Sequence, residues 1–221
     1  MKKFHVFMLL AVAALLSFGM ASCSEKSNDE NEFPNWKETN DNYFENKYTE
    51  VKKLVNEGST NWKVLRSWSL NEDVATHSYD YVLANVLTAG TGSGCPLYTD
   101  SVKVHYQGRL LPTANYPQGK IFDQSWQGDF NPDVAKPSTF AVNGVVNGFS
   151  TALQHMHIGD RWQVIIPYQL AYDSSDTPGA AYSTLIFDVT LVGYFRRSVS
   201  EMPALNPAEA NSKVKGEWIY E

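Results

Sequence analysis

Apolar residues recur at every second position in three separate runs, and this alternation limits the fold more than any other feature of the chain. Val102, Val104 and Tyr106 alternate with Lys103, His105 and Gln107; Trp162, Val164 and Ile166 alternate with Gln163 and Ile165. Leu185, Phe187, Val189 and Leu191 alternate with Ile186, Asp188 and Thr190. A strand turns successive side chains to opposite faces, so each run lays one face of a sheet on a core. One helix interrupts the pattern: Phe149, Leu153 and Met156 share a face, Asn147 or Ser150 can cap its start, and Gly159 ends it. Several strands and one short helix predict an α+β domain in which an antiparallel sheet wraps the helix.

The length of 221 residues suits one such domain with appendages. With 11 Phe, 12 Tyr and 6 Trp the chain can build a real core. A formal charge of -6 supplies no basic footprint for nucleic acid. The two cysteines, Cys23 and Cys95, make neither a disulfide-rich scaffold nor a zinc site by themselves.

Cys23 belongs to the start of the chain. Lys2 and Lys3 precede an apolar run of 11 residues from Val6 to Leu16, and Met20-Ala21-Ser22 leads to the cysteine. A basic start, a short apolar stretch and small residues are the layout of a secretory signal, and the run is shorter than the roughly 20 residues that span a bilayer. Small residues followed directly by cysteine resemble the lipobox of bacterial lipoproteins, in which the cysteine is acylated after cleavage. Residues 1–22 are thus expected as a lipoprotein signal peptide, Cys23 as the lipidation site, and 23–39 as a solvated tether. Attachment to the outer membrane of the cell envelope through the lipid anchor follows, with the periplasmic or surface face left open.

From Asn40 to Glu57 the period changes to that of a helix: Phe44, Tyr48, Val51, Leu54 and Val55 share a face. Asn40 or Asp41 can cap it, and Gly58 suits the turn beyond its end. The Trp62, Val64, Leu65, Trp68 and Leu70 stretch is too apolar for a free linker. Residues 40–76 read as a helix-plus-strand extension packed on the main domain or on a partner; a dimerisation arm is the sharper alternative.

Reaction motifs are mostly missing. No dinucleotide or phosphate loop, nucleophile elbow or zinc-protease motif occurs. Gly90-Thr91-Gly92-Ser93-Gly94 ends in Cys95-Pro96 and reads as a turn. His155 and His157 do not face each other on a helix, His105 has no evident acid–base partner, and Cys95 has no activating neighbour. No metal and no cofactor is expected, and an enzyme here works without a covalent intermediate.

At this point the residues carry a resemblance. Val102-Lys103-Val104-His105-Tyr106-Gln107-Gly108-Arg109-Leu110 resembles the Val-x-Val-x-Tyr-x-Gly-x-Leu strand of FKBP-type peptidyl-prolyl isomerases, and Lys120-Ile121-Phe122-Asp123-Gln124-Ser125 is similar to their Lys-x-Phe-Asp-x-Ser. Phe140-Ala141-Val142-Asn143, Val145-Val146-Asn147-Gly148-Phe149, Met156 to Trp162, Ile166 to Tyr172 and Ser183 to Val189 follow in family order over about residues 79–196. The resemblance implies a twisted antiparallel half-barrel around a helix over 147–158, with an aromatic pocket between sheet and helix.

Carried over by position, the substrate-binding residues are Tyr106, Phe122, Phe140, Val145, Val146 and Phe149, and the catalytic residues are Asp123, Tyr172 and Phe187. The ligands implied are proline-containing polypeptides and macrolides. Physical chemistry agrees with such a site: aromatic side chains make a concave apolar surface suited to a pyrrolidine ring, and Val146 can offer a backbone N–H. Two positions and one segment depart from the family. Phe149 stands for tryptophan, Asp173 for glycine, and Pro178-Gly179-Ala180-Ala181-Tyr182 for Ile-Pro-Pro-Tyr, so the flap lacks bulky apolar contacts to substrate. Gly128 to Lys136 lengthens the loop after Asp123 and is expected to reshape the pocket rim.

The expected organisation is therefore an extension over 40–76, an FKBP-like isomerase domain over 77–197 and a tail over 198–221. The functional expectation is a peptidyl-prolyl cis–trans isomerase acting on exported or envelope proteins. The alternative is a non-catalytic FKBP-like binding or chaperone lipoprotein.

Overall fold

The computed structural model describes residues 32–197 and 216–221. Cys23, the signal and most of the tether lie outside the described residues, as do residues 198–215 of the tail. The chain from Phe33 onward forms one unit.

Among the described residues, eight strands form one antiparallel sheet. They are β1 (Trp62–Arg66), β2 (Tyr81–Thr88), β3 (Ser101–Arg109), β4 (Ile121–Gln124), β5 (Ser138–Ala141), β6 (Arg161–Ile166), β7 (Leu185–Arg197) and β8 (Gly216–Ile219). Their order is β1-β2-β6-β7-β3-β4, with β5 on β3 and β8 on β7. The three alternating runs are β3, β6 and β7, and they lie side by side: Val104 opposite Leu191, Tyr106 opposite Val189, Trp162 opposite Val189 and Val164 opposite Phe187. Val82 and Ala84 of β2 extend the same buried face.

Two helices, α1 (Trp36–Asn56) and α2 (Asn147–Leu153), pack on this sheet. Helix α2 joins the core with Phe149, Ala152 and Leu153. Its approach is so close that a Cβ on Gly148 would fall 2.2 Å from Ile166 Cγ2, which leaves glycine as the residue that fits. The expected helix to Gly159 is too long. It stops at Leu153, after which the His155 and Met156 N–H groups donate to Ala152 O and Leu153 O, and Gly159 takes a positive φ of 89° at the next turn. Neither Asn147 nor Ser150 caps it; the cap position is Val146, with no side-chain bond.

Helix α1 covers the other face. Phe44 and Val51 bury Leu83 of β2 and Ile165 of β6, with Tyr48, Val55, Trp62 and Val64 around them. This explains why Ile165, an off-beat residue in its strand, is 1% exposed. The helix begins four residues ahead of the expected start, because Trp36 is anchored in the main core. Asn40 therefore does not cap: it sits inside the first turns, where its amide donates to Trp36 O. Strand β1 pairs along its length with β2, Trp62 opposite Asn85 through Arg66 opposite Tyr81, so the stretch after α1 is the outer strand of the sheet. At the far end, β8 pairs with the last residues of β7, Tyr194 opposite Ile219 through Arg197 opposite Gly216.

Candidate functional site

Five aromatic rings meet where β3, β4, β5, β7 and α2 converge. Tyr106 lies 5.4 Å from Phe140, 6.3 Å from Phe149 and 6.4 Å from Phe187, measured between ring centroids. Phe187 is 4.7 Å from Phe149 and 5.5 Å from Phe122, the latter pair nearly perpendicular. Tilted and edge-to-face arrangements of this kind suit the ring quadrupoles. The rings of Tyr106, Phe149 and Phe187 are buried, while Phe122, Phe140, Val145, Val146 and Tyr172 are half-buried against the same core. A buried floor with a half-exposed rim is a bowl lined by apolar surface.

Backbone geometry makes the bowl. Tyr106 and Gly108 point the same way from β3, and a Cβ on Gly108 would lie 2.5 Å from Phe122 Cζ and 2.8 Å from Phe187 Cε1. Only a residue without a side chain lets both rings lie over the strand. Gly108 is the site residue that position-by-position reasoning left out, although it stands in the quoted strand motif.

One carboxylate stands at the lip. Asp123 is exposed, and Tyr106 Oη donates to its Oδ2 at 2.8 Å while the Gln124 N–H donates to its Oδ1 at 2.9 Å. Burial, and then the bond to Asp123, push the Tyr106 phenol above its ordinary value, so it stays protonated and remains a donor. Burial and then the negative charge of Asp123 likewise raise Tyr172. Tyr106, Phe122, Asp123, Phe140, Phe149 and Phe187 thus form one connected set, with Tyr172 in electrostatic reach of Tyr106 and Asp123, while Val145 and Val146 pack on the same core.

The loop carrying Tyr172 leaves the short 3-10 turn Tyr168–Leu170. Asp173 has φ 50°, the left-handed region that glycine adopts freely and aspartate tolerates, which accounts for aspartate at a glycine position. Tyr182, also left-handed at φ 58°, turns its ring edge-on to Tyr168 at 5.4 Å. Lys37 Nζ of α1 lies 5.4 Å from the Tyr168 ring and 5.7 Å from the Tyr182 ring.

Two aromatic residues of the long loop after β4 lie on the face of β3 opposite the bowl. Trp126 and Phe130 pack together at 4.5 Å, and Phe130 covers His105 at 5.2 Å and receives Arg161 at 5.2 Å. His105 faces away from Tyr106, so this loop shields the opposite side of β3. A cavity of about 570 Å³ opens instead in the 109–121 loop, lined by Arg109, Asn115, Tyr116, Gly119, Lys120 and Ile121, and holds none of the pocket rings.

Cys95 does have a neighbour, since its Sγ is 3.7 Å from His157 Nδ1. That nitrogen also lies 3.0 Å from Gly94 O, and burial, then Asp160, push the thiol up, so the pair does not make an activated nucleophile. Among the described residues no group of three or more His, Cys, Asp or Glu could hold a metal ion.

With this geometry in place, the comparison with known families is direct: residues 95–192 match the model described as FKBP-type peptidyl-prolyl cis-trans isomerase. Residues 95–192 are similar to an FKBP-type domain. The FKBP-type segment is 40% identical over 108 residues to a macrophage infectivity potentiator of Trypanosoma cruzi, covering 48% of this chain and 49% of the relative. It is 37% identical over 111 residues to the FKBP-type 22 kDa peptidyl-prolyl cis-trans isomerase of Escherichia coli K12, covering 48% and 47%. It is 35% identical over 109 residues to a protein of Legionella longbeachae named outer membrane protein MIP, covering 48% and 41%. The chain spans about half the length of the curated relatives it matches. Helix α1, β1 and β2 lie ahead of the FKBP-type match, yet β2 pairs directly with β6 inside it.

Proposed function

We propose that the chain is a peptidyl-prolyl cis–trans isomerase that takes proline-containing polypeptides into the ring bowl and works without covalent chemistry. The observation carrying this reading is the bowl of Tyr106, Phe122, Phe149 and Phe187 with the Asp123–Tyr106 hydrogen bond at its lip. Rotation about a prolyl bond meets a barrier of roughly 18–20 kcal/mol, because amide resonance must be broken. In the twisted state the carbonyl loses its share of the nitrogen lone pair and becomes less polar, so an apolar, water-poor surface favours it over the planar amide.

In this reading Phe122, Phe149 and Phe187 wall the proline ring, and Phe140, Val145 and the Val146 backbone N–H line its approach. Tyr172 donates to a substrate carbonyl. Asp123 holds Tyr106 and biases the field at the rotating carbonyl. Each tenfold in rate requires about 1.4 kcal/mol of differential stabilisation, so a few fixed contacts suffice. Macrolides that fill the same bowl are a second ligand class.

The finer placement belongs to the same proposal. Lys2, Lys3, the apolar run and Cys23 support a lipid anchor in the cell envelope, and a relative named as an outer membrane protein supports the outer membrane. Exported proteins are then the clients.

A prolyl-peptide isomerisation assay on the full chain tests the activity, with Asp123→Leu and Phe187→Ala beside it. Acceleration that falls by an order of magnitude or more in both variants is expected. A rate equal to that of buffer, with folding intact, leaves the non-catalytic binding module as the reading. A normal rate in both variants rejects this site. Radiolabelled fatty-acid incorporation that survives Cys23→Ser would reject the anchor.

A further inference from the structure

The loop from Tyr172 to Thr184 carries a pocket residue at one end and is bonded to α1 at the other. Trp36 Nε1 donates to Ser183 Oγ at 2.7 Å, and that hydroxyl donates onward to Ala180 O at 2.7 Å. One turn along α1, Asn40 Oδ1 accepts the Thr184 N–H at 2.7 Å while the Asn40 amide donates to Trp36 O at 2.7 Å. Asn40 and Thr184 are completely buried, and Trp36 and Ser183 are 8% and 3% exposed. Buried polar groups are costly to leave unpaired, so the two bonds that cross from α1 to the loop, Trp36 to Ser183 and Thr184 to Asn40, specify one position of the loop relative to the helix.

The loop is closed by short-range bonds of its own, and the Tyr182 N–H, which donates to Asp173 O at 2.7 Å, ties the Ser183 end to the neighbour of Tyr172. Asp173, Gly179 and Tyr182 all take positive φ, and Gly179-Ala180-Ala181 offers no large side chain. What packs there comes from the N-terminal side: Trp36 is part of the main core, Phe33 stacks edge-on to it at 4.7 Å, and Ala180 packs on that core. Lys37, lying over Tyr168 and Tyr182, adds a contact from the same helical turn.

We propose that Trp36 and Asn40 are positioning residues of the prolyl pocket: α1 fixes the 172–184 loop and so sets Tyr172 against the ring bowl. The proposal rests on the isomerase reading above. It places part of the pocket's support ahead of the FKBP-type match, which begins at residue 95.

The test uses the full chain with Trp36→Phe, Ser183→Ala, their double variant and Asn40→Ala, reading amide hydrogen exchange, kcat and KM separately. Exchange at Thr184 and Tyr182 should speed by about fivefold to tenfold, the loss of one ordinary hydrogen bond, while Trp162–Ile166 amides are unchanged. In the same variants kcat/KM should fall about fivefold through KM with kcat held, because Tyr172 binds planar and twisted amide alike. Trp36→Phe and Ser183→Ala both remove the Trp36–Ser183 bond, and Ser183→Ala removes the Ser183–Ala180 bond as well, so the double variant should lose no more than Ser183→Ala alone. Should Asn40→Ala fail to fold, the Trp36 and Ser183 variants decide. Faster exchange with unchanged KM overturns the positioning role, as does unchanged exchange. An inactive parent chain instead removes the isomerase reading, and the exchange arm alone then supports or overturns the hold of α1 on the loop.

Discussion

Tyr106 Oη lies 2.8 Å from Asp123 Oδ2, so a buried strand residue holds an exposed carboxylate at the lip of the ring bowl. Tyr106→Phe keeps the ring and its contacts with Phe140, Phe149 and Phe187 while removing the donor. A hydrogen bond to a charged group contributes roughly 1.5–3 kcal/mol, and the exposed end of this one brings it below that range, to the level of an ordinary hydrogen bond. Denaturant unfolding should show a loss of about 1 kcal/mol. Isomerisation should slow less than in Asp123→Leu, and the double variant should match Asp123→Leu alone. Additive losses would mean that Tyr106 acts on substrate independently of Asp123.

Gly108 offers a sharper probe of the bowl, because the required change is one methyl group. In Gly108→Ala the new Cβ meets Phe122 Cζ at 2.5 Å and Phe187 Cε1 at 2.8 Å, so both rings must move. Overpacking of this kind costs about 1–3 kcal/mol. The expected result is a lower Tm together with loss of prolyl-peptide turnover. A variant that folds normally and keeps its activity would show that the rings are not held against the strand.

Most of the sheet was legible because its signal is local. The alternation in β3, β6 and β7 marks the same face that α2 covers, and the quoted motifs locate the rings, Asp123 and Tyr172. Less legible was whatever depends on a distant partner. Ile165 reads as a solvent-facing residue until Phe44 and Val51 are placed on it. Trp36 is invisible to a helical periodicity that starts at Asn40, because what fixes it is Ser183, far along the chain. The place of Gly128 to Lys136 after Asp123 points to the pocket rim, whereas Phe130 of that segment crosses to the other face to cover His105.

That covered histidine gives the protein a pH dependence of defined sign. His105 is 4% exposed, its Nδ1 has no partner, and burial lowers its pKa below the ordinary value. Its surroundings supply no carboxylate in direct contact: Phe130 packs on it, Arg161 lies over Phe130, and Asp188 is engaged by Arg161 at 2.7 Å. The unfolded chain therefore takes up the proton first. Stability contributed by neutral His105 is complete above about pH 6.5, falls as pH drops below that value, and levels off beneath the folded-state pKa. Urea midpoints measured between pH 7.5 and 5 should decline in the parent chain. His105→Leu should flatten the part of that decline due to this residue, and an unchanged slope would assign it elsewhere.

The C-terminal strand should matter for stability and not for turnover. Four residue pairs join β8 to β7 between Tyr194 and Arg197, beyond the Phe187 end of the strand that lines the bowl. The fit is close: a Cβ on Gly193 would fall 2.7 Å from Ile219 O, and one on Gly216 would fall 2.4 Å from Phe195 Cζ. Lys103 Nζ sits 4.4 Å from the Trp218 ring and 5.1 Å from the Tyr220 ring, tying the strand to β3. Removing residues 216–221 exposes the partly buried Ile219 and Trp218 contacts, a loss of about 1–2 kcal/mol. The expected outcome is a Tm lower by several degrees with kcat/KM unchanged at a temperature where both chains are folded. A fall in kcat/KM under those conditions would show that the β7 overhang is coupled to Phe187 along the strand.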